Sequence, residues 1–253
     1  MTRHRFVLGL LGLVLAALPA RAMVATPPDD GTAARHAVLL VGSRGNFCTG
    51  TAIARDLVLT AAHCVLPGAD YKLVQFDAAR QPALKDVVQV VRHPQFDMNA
   101  LNRHRATADV ALVKLAAPLP SSFAPAHLVG ARGPLAVGEH FVVSGFGVAV
   151  RGDGKTGGTL RTAQLTATGR PGTLQLRLVD PKGNNTRPGA GACTGDSGAP
   201  VFAASDFALT GVVSWSTGPN GSAGCGGLTG VTPLMRYRDW IVDTARALGS
   251  PVP

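Results

Sequence analysis

Cys193-Thr194-Gly195-Asp196-Ser197-Gly198-Ala199-Pro200 sets a serine between two glycines, directly after an acid and four residues after a cysteine. A serine hydroxyl is a poor nucleophile near neutral pH and reacts only when a base stands beside it. Glycines on either side let the backbone turn tightly and bring N–H groups to where an oxyanion would form. Taken alone, the stretch reads equally well as an ordinary loop.

Two upstream segments supply what the serine lacks. Thr60-Ala61-Ala62-His63-Cys64 ends a strand-like run with a histidine, and Ala108-Asp109-Val110-Ala111-Leu112 opens an apolar run with an acid. A neutral imidazole, with an ordinary pKa of about 6.5, is suited to take a hydroxyl proton. The imidazole in turn needs a buried carboxylate to fix its tautomer and stabilise its charged form. Each part of that chemistry is present once, as Ser197, His63 and Asp109.

The segments TAAHC, DVALVKL and GDSGAP, in the order His, Asp, Ser, resemble the catalytic signatures of the chymotrypsin/trypsin family of serine peptidases. That order differs from subtilisin-like enzymes and from α/β-hydrolases. Phe47-Cys48, His93-Pro94, Gly145-Phe146-Gly147, Ser214-Trp215 and Asp239-Trp240-Ile241 extend the likeness from about Val24 to the C-terminal helix. The resemblance implies an all-β fold of two six-stranded antiparallel barrels packed together, with a C-terminal α-helix. It implies Ser197 as nucleophile, His63 as base, Asp109 as orienting acid, and the N–H groups of Gly195 and Ser197 as the oxyanion hole. Ser214, Trp215 and Ser216 would bind substrate backbone as an added strand. Disulfides would join Cys48 to Cys64 and Cys193 to Cys225, each contributing roughly 3 kcal/mol in the chain-entropy view.

Departures from the family pattern bear on specificity. Ala199 replaces a glycine, and Phe146 stands where a tryptophan is common. Gly191, followed by Ala192, occupies the position where members that cut after Arg or Lys carry an aspartate. An uncharged base cannot compensate a buried cation. With Ser216 on one wall and Gly227 expected opposite, the preferred P1 residue is expected to be uncharged, apolar and of medium or large size. The Ile-Val-Gly-Gly start of activated members is absent. A cut after Ala22 would instead expose Met23, whose amine could pair with Asp196.

The remainder of the chain agrees with export. Arg3, His4 and Arg5 precede an apolar run, Phe6 to Leu18, and Ala20-Arg21-Ala22 then has the small-x-small form of a signal-peptidase site. Residues 1–22 are therefore expected to be a signal peptide, 23–122 the first barrel with His63 and Asp109, and 123–253 the second barrel and helix with Ser197. Losing Arg3, Arg5 and Arg21 takes the net charge from +9 to +6. The remaining basic residues are scattered, without an aromatic-interleaved stripe, so no nucleic-acid partner is expected. No second long apolar run follows, so the mature chain should need no membrane.

The composition is 46% hydrophobic and 15% charged, which excludes global disorder. The 31 glycines and 18 prolines mark many turns and favour all-β. Short apolar runs at 37–41, 51–53, 57–60, 87–91, 110–115, 140–143, 174–178 and 209–215 read as strands. Thr232 and Pro233 read as the N-cap and first residue of a closing helix. Four cysteines behind a leader read as two disulfides, with three pairings open by spacing alone.

No cofactor and no metal are expected. C-x-x-C and H-E-x-x-H are absent, and Asp70 and Asp77 lack the further carboxylates of a calcium loop. The expected partners are polypeptide substrates and protein protease inhibitors, acting on a monomer. Localisation is read as secreted, periplasmic or extracellular, with a composition suggesting a bacterial source. The rival reading is an inactive relative that binds ligands on the same fold, yet none of the three catalytic residue types is missing.

Overall fold

The computed structural model describes Met23, Thr26 and residues 31–77, 79, 81–103, 105–130, 135–169 and 174–252. The expected signal peptide lies outside the described residues. Twelve strands form two closed antiparallel barrels. The first comprises β1 (Ala37–Gly42), β2 (Phe47–Ala54), β3 (Leu57–Thr60), β4 (Tyr71–Phe76), β5 (Pro82–Arg92) and β6 (Ala111–Leu115), in the spatial order β1-β2-β3-β6-β5-β4. The second comprises β7 (His140–Gly145), β8 (Arg161–Ala167), β9 (Leu176–Val179), β10 (Pro200–Ala203), β11 (Leu209–Ser216) and β12 (Thr229–Pro233), in the order β10-β11-β12-β9-β8-β7. A short helix, α1 (Met98–Asn102), precedes β6, and α2 (Arg238–Ala247) closes the chain.

The period-two alternation of side chains explains how two barrels share one core. On β3, Val58 points into the first barrel with Val38, Leu40, Leu73 and Val113. Its neighbours Leu57 and Leu59 point the other way, into a cluster with Leu112, Phe202, Val212 and Ile241 that lies between the barrels. On β11, Val212 joins this shared cluster while Val213 faces the second barrel's interior with Phe141, Leu165 and Val201. Both faces of these strands are covered, so they read as unbroken apolar runs. Each buried leucine contributes roughly 1.5 to 3 kcal/mol relative to exposure.

The strands that the sequence does not announce, β4, β8, β10 and β12, are the ones that mix residue types; on β4, buried Tyr71 and Leu73 alternate with partly exposed Lys72 and Val74. On β8, buried Ala163, Leu165 and Ala167 alternate with partly or fully exposed Thr162, Gln164 and Thr166. β12 contains glycine and proline, and β10 begins with Pro200. The closing helix corrects its expected start. Thr232 is no N-cap: it pairs with Val212 inside the barrel, and a 3-10 turn over Leu234–Tyr237 precedes α2. Barrel closure outweighs the local Thr-Pro signal. Among the described residues, no helix is long and apolar enough to cross a membrane.

Candidate active site

The first barrel delivers a histidine and an acid. His63 sits in a 3-10 turn, Ala62–Val65, just beyond β3, and Asp109 lies on the approach to β6. Because β3 and β6 are paired neighbours, their ends bring the two side chains together. His63 Nδ1 lies 2.8 Å from Asp109 Oδ2, and the His63 backbone N–H donates to Asp109 Oδ1 at 3.0 Å. Asp109 is fully buried, and Ser214 Oγ also donates to its Oδ2 at 2.5 Å. The carboxylate therefore has three donors, a satisfied state for a buried charge. Ser214, expected from the sequence only as a substrate contact, is thus also a partner of Asp109.

The second barrel delivers the serine loop. Ser197 and His63 line one cavity of about 340 Å³, together with Gly195, Val213, Trp215 and Ser216. No hydrogen bond joins Ser197 Oγ to His63 Nε2, which lies 3.9 Å from Cys64 Sγ. Catalytic hydrogen bonds of this kind are commonly long before substrate binds. The N–H groups of Gly195 and Ser197 meet no acceptor among the described residues. Gly195 has φ +93°, and a Cβ there would stand 2.1 Å from the Phe47 ring, so only glycine fits this turn.

Thr49, on β2, clamps the loop and has no counterpart in the sequence reading. Its Oγ1 donates to Gly195 O at 2.9 Å and accepts the Phe146 N–H at 3.0 Å, while its N–H donates to Ser197 O at 2.8 Å. One residue of the first barrel thereby fixes the backbone on both sides of Asp196. Its only sequence signal is its place after Phe47-Cys48.

Asp196 is also fully buried, in a different setting. Its oxygens accept the N–H groups of Gly147 and Cys193, each at 2.8 Å. Burial pushes its carboxyl up to about 7, against the pull of these two N–H groups and of Arg161. The Gly145-Phe146-Gly147 segment wraps it closely: Cβ atoms at Gly145 and Gly147 would stand 2.0 and 2.5 Å from the Asp196 side chain. Met23 is fully buried in the same barrel, packed with the cluster of Phe141 and Leu165. No hydrogen bond links it to Asp196. In the full chain its nitrogen is a peptide amide rather than an amine.

The pocket region corrects one expectation. Register pairs Trp215 with Gly230 and Ser216 with Thr229, so Thr229, not Gly227, faces Ser216. Gly227 lies further along, its N–H on Thr217 O at 2.9 Å. Thr229 Oγ1 accepts the Ala192 N–H at 3.0 Å, and a Cβ on Gly191 would stand 3.3 Å from it. A bulge between Val213 and Trp215 moves the partner of Ser216 by one residue, from Leu228 to Thr229. β10 pairs with β11 only as far as Val212, so Ser214–Ser216 has no strand neighbour on that side.

The structure joins Cys48 to Cys64 and Cys193 to Cys225. Among the described residues, the metal-capable cluster is Cys48, His63 and Cys64. Its two sulfurs are bonded to each other, so they offer no thiolate.

The fold and cavity define a double-barrel hydrolase of the serine-peptidase class. A family model described as Trypsin matches residues 25–241. Human Kallikrein-11 is 27% identical over 210 residues, covering 79% of this chain and 72% of its own. Canine Serine protease 1 is 26% identical, covering 89% of this chain and 95% of its own. The solved structure of neuropsin, a serine protease expressed in the limbic system of mouse brain, superposes with a TM-score of 0.64 at 23% identity, over 83% of this chain and 94% of that one. The chain belongs to the trypsin family of serine endopeptidases. These relatives are animal proteins and lend the bacterial reading of the composition no support.

Proposed function

We propose that the mature chain is a secreted endopeptidase in which Ser197 attacks the peptide carbonyl while His63 takes its proton. His63 then returns that proton to the leaving amine, and water hydrolyses the acyl-enzyme by the same route in reverse. Asp109 holds the imidazole, and the N–H groups of Gly195 and Ser197 receive the oxyanion. The observation that carries this reading is His63, doubly hydrogen-bonded to Asp109, lining the same cavity as Ser197, whose own N–H and that of Gly195 are unengaged among the described residues. A fluorophosphonate should label the chain at Ser197 and fail on Ser197→Ala. Absence of label on folded wild-type chain would favour the inactive binding relative instead.

An uncharged, apolar P1 residue is supported by Gly191 and Ala192, which bring no carboxylate. Thr229 beside Gly191 and Ser216 narrows that wall, which moves the favoured size from medium or large towards small or medium. A peptide library cleaved mainly after Arg would overturn this. Two disulfides support export to an oxidising compartment. The buried Met23 and the cation-seeking Asp196 support activation by the cut after Ala22. An N-terminus other than Met23 on active enzyme would reject that step. Protein inhibitors that present an extended loop fit the open edge of Ser214–Ser216, and the chain is taken to act as a monomer.

A further inference from the structure

A second cavity, of about 410 Å³, adjoins the catalytic one. Thr194 and Ser216 line both, and beyond them the walls come from Arg151, Thr217, Gly224 and Cys225. Arg151 is the one charged residue on these walls. A Cβ built on Gly224 would stand 3.8 Å from Arg151 Nη1, which sets the guanidinium against the loop held by the Cys193–Cys225 disulfide. Arg151 makes no hydrogen bond or ion pair among the described residues. The nearest acid in sequence, Asp153, turns to its own loop, where it accepts the Lys155 N–H at 3.1 Å. The Thr194 and Ser216 hydroxyls are likewise unengaged.

We propose that this cavity is a subsite for an acidic side chain of the polypeptide substrate, two residues before the cleaved bond. The proposal rests on the endopeptidase reading above and names a substrate feature for it. A peptide adding itself as a strand along Ser214–Ser216 presents alternate side chains to one face. If the P1 side chain enters beside Gly191, the P3 side chain lies on that same face, about 7 Å further along the strand. That distance carries it past Ser216 to Thr217 and the Arg151 wall. A carboxylate there meets a guanidinium without a competing acid, and two hydroxyls able to donate. An ammonium would meet an unpaired like charge, so Lys and Arg are selected against.

The test compares fluorogenic peptides that share one apolar P1 residue and differ only at P3, as Glu, Gln or Lys. The secreted chain should show kcat/KM for Glu about fivefold above Gln, the size of a partly exposed ion pair. Lys should fall below Gln. The Glu/Gln ratio should shrink towards one at about 0.5 M salt, where screening shortens the reach of charge. Arg151→Gln should bring the ratio to one and Arg151→Glu should invert it. Each ratio is taken within one enzyme, so it is insensitive to a general loss of activity. Equal rates for Glu and Gln peptides on an enzyme that cleaves both would overturn the subsite and leave the endopeptidase reading intact. No cleavage and no fluorophosphonate label would overturn the reading beneath it.

Discussion

The cleft holds two fully buried aspartates, and they are built to different degrees of completion. Asp109 has both oxygens engaged, by the His63 backbone, the His63 ring and Ser214. Asp196 has two backbone N–H groups, no side-chain donor, and a carboxyl pushed up to about 7 by burial. The Asp109 carboxylate is fully engaged, with Ser214 of the second barrel as its third donor, while Asp196 has only its two backbone donors. In the reading proposed above, Asp109 orients the base His63 and Asp196 receives the amine of Met23.

The largest expected effect breaks the fully engaged carboxylate. Asp109→Asn keeps the shape but cannot accept from both His63 N–H groups in the same way. It should lower kcat about ten-thousandfold, the loss that a wrong imidazole tautomer causes in triads of this kind. A loss under tenfold would remove Asp109 from the mechanism.

Asp196→Asn probes the other aspartate. If a Met23 amine pairs with Asp196, kcat/KM should fall by about a hundredfold, equivalent to about 3 kcal/mol of broken buried pair. Without that pair the fall should be smaller, since it reflects only one lost backbone bond: the asparagine oxygen accepts one of the two N–H groups and its amide nitrogen accepts none.

The pH dependence of stability sharpens the same contrast. In a chain that retains its leader, Asp196 is raised from its ordinary 3.8 to about 7. A raised acid stabilises the fold while protonated. Its contribution is fully present below about pH 4 and is lost as pH rises to 7, by a few kcal/mol. Cleavage after Ala22 should flatten or reverse this slope, because an amine partner lowers the carboxyl again. Urea midpoints at pH 5 and pH 8, for leader-retaining and processed chains, read the difference. Parallel slopes would count against the ion pair.

Each barrel also has its own disulfide, and here the two should differ least. Replacing Cys193 and Cys225 by serine should cost about 3 to 4 kcal/mol, and replacing Cys48 and Cys64 about 3, since their separations are 32 and 16 residues. Thermal unfolding gives both. The smallest effect is at the pocket: Thr229→Gly should raise kcat/KM for Phe over Ala at P1 by about fivefold, the order of one or two methylenes of added room.

Much of this was legible in the chain. Each of the segments holding Ser197, His63 and Asp109 is ambiguous alone, but their combination in that order pointed to one family, and the apolar strands Leu57–Thr60 and Leu209–Ser216 announce a core covered on both faces. Less legible were Thr49 and Ser214, because a hydroxyl's partner depends on which strand folds beside it. Gly227 was expected opposite Ser216, where Thr229 stands, because cross-strand register is set by barrel pairing and not by a local stretch. β4, β8, β10 and β12 were missed: β4 and β8 alternate buried with exposed residues, β10 opens on proline, and β12 contains glycine and proline.

The sequence by itself determined the class of chemistry, the order of its residues, and the architecture that such an order accompanies, since nucleophile, base and acid are chemical types that a sequence states directly. Only the tertiary structure decided which hydroxyl supports Asp109, which residue pairs with Ser216, and that Arg151 lines a cavity adjoining that of Ser197. Those are properties of distance between segments far apart in the chain. Distance is set by barrel closure and register, which no local stretch contains.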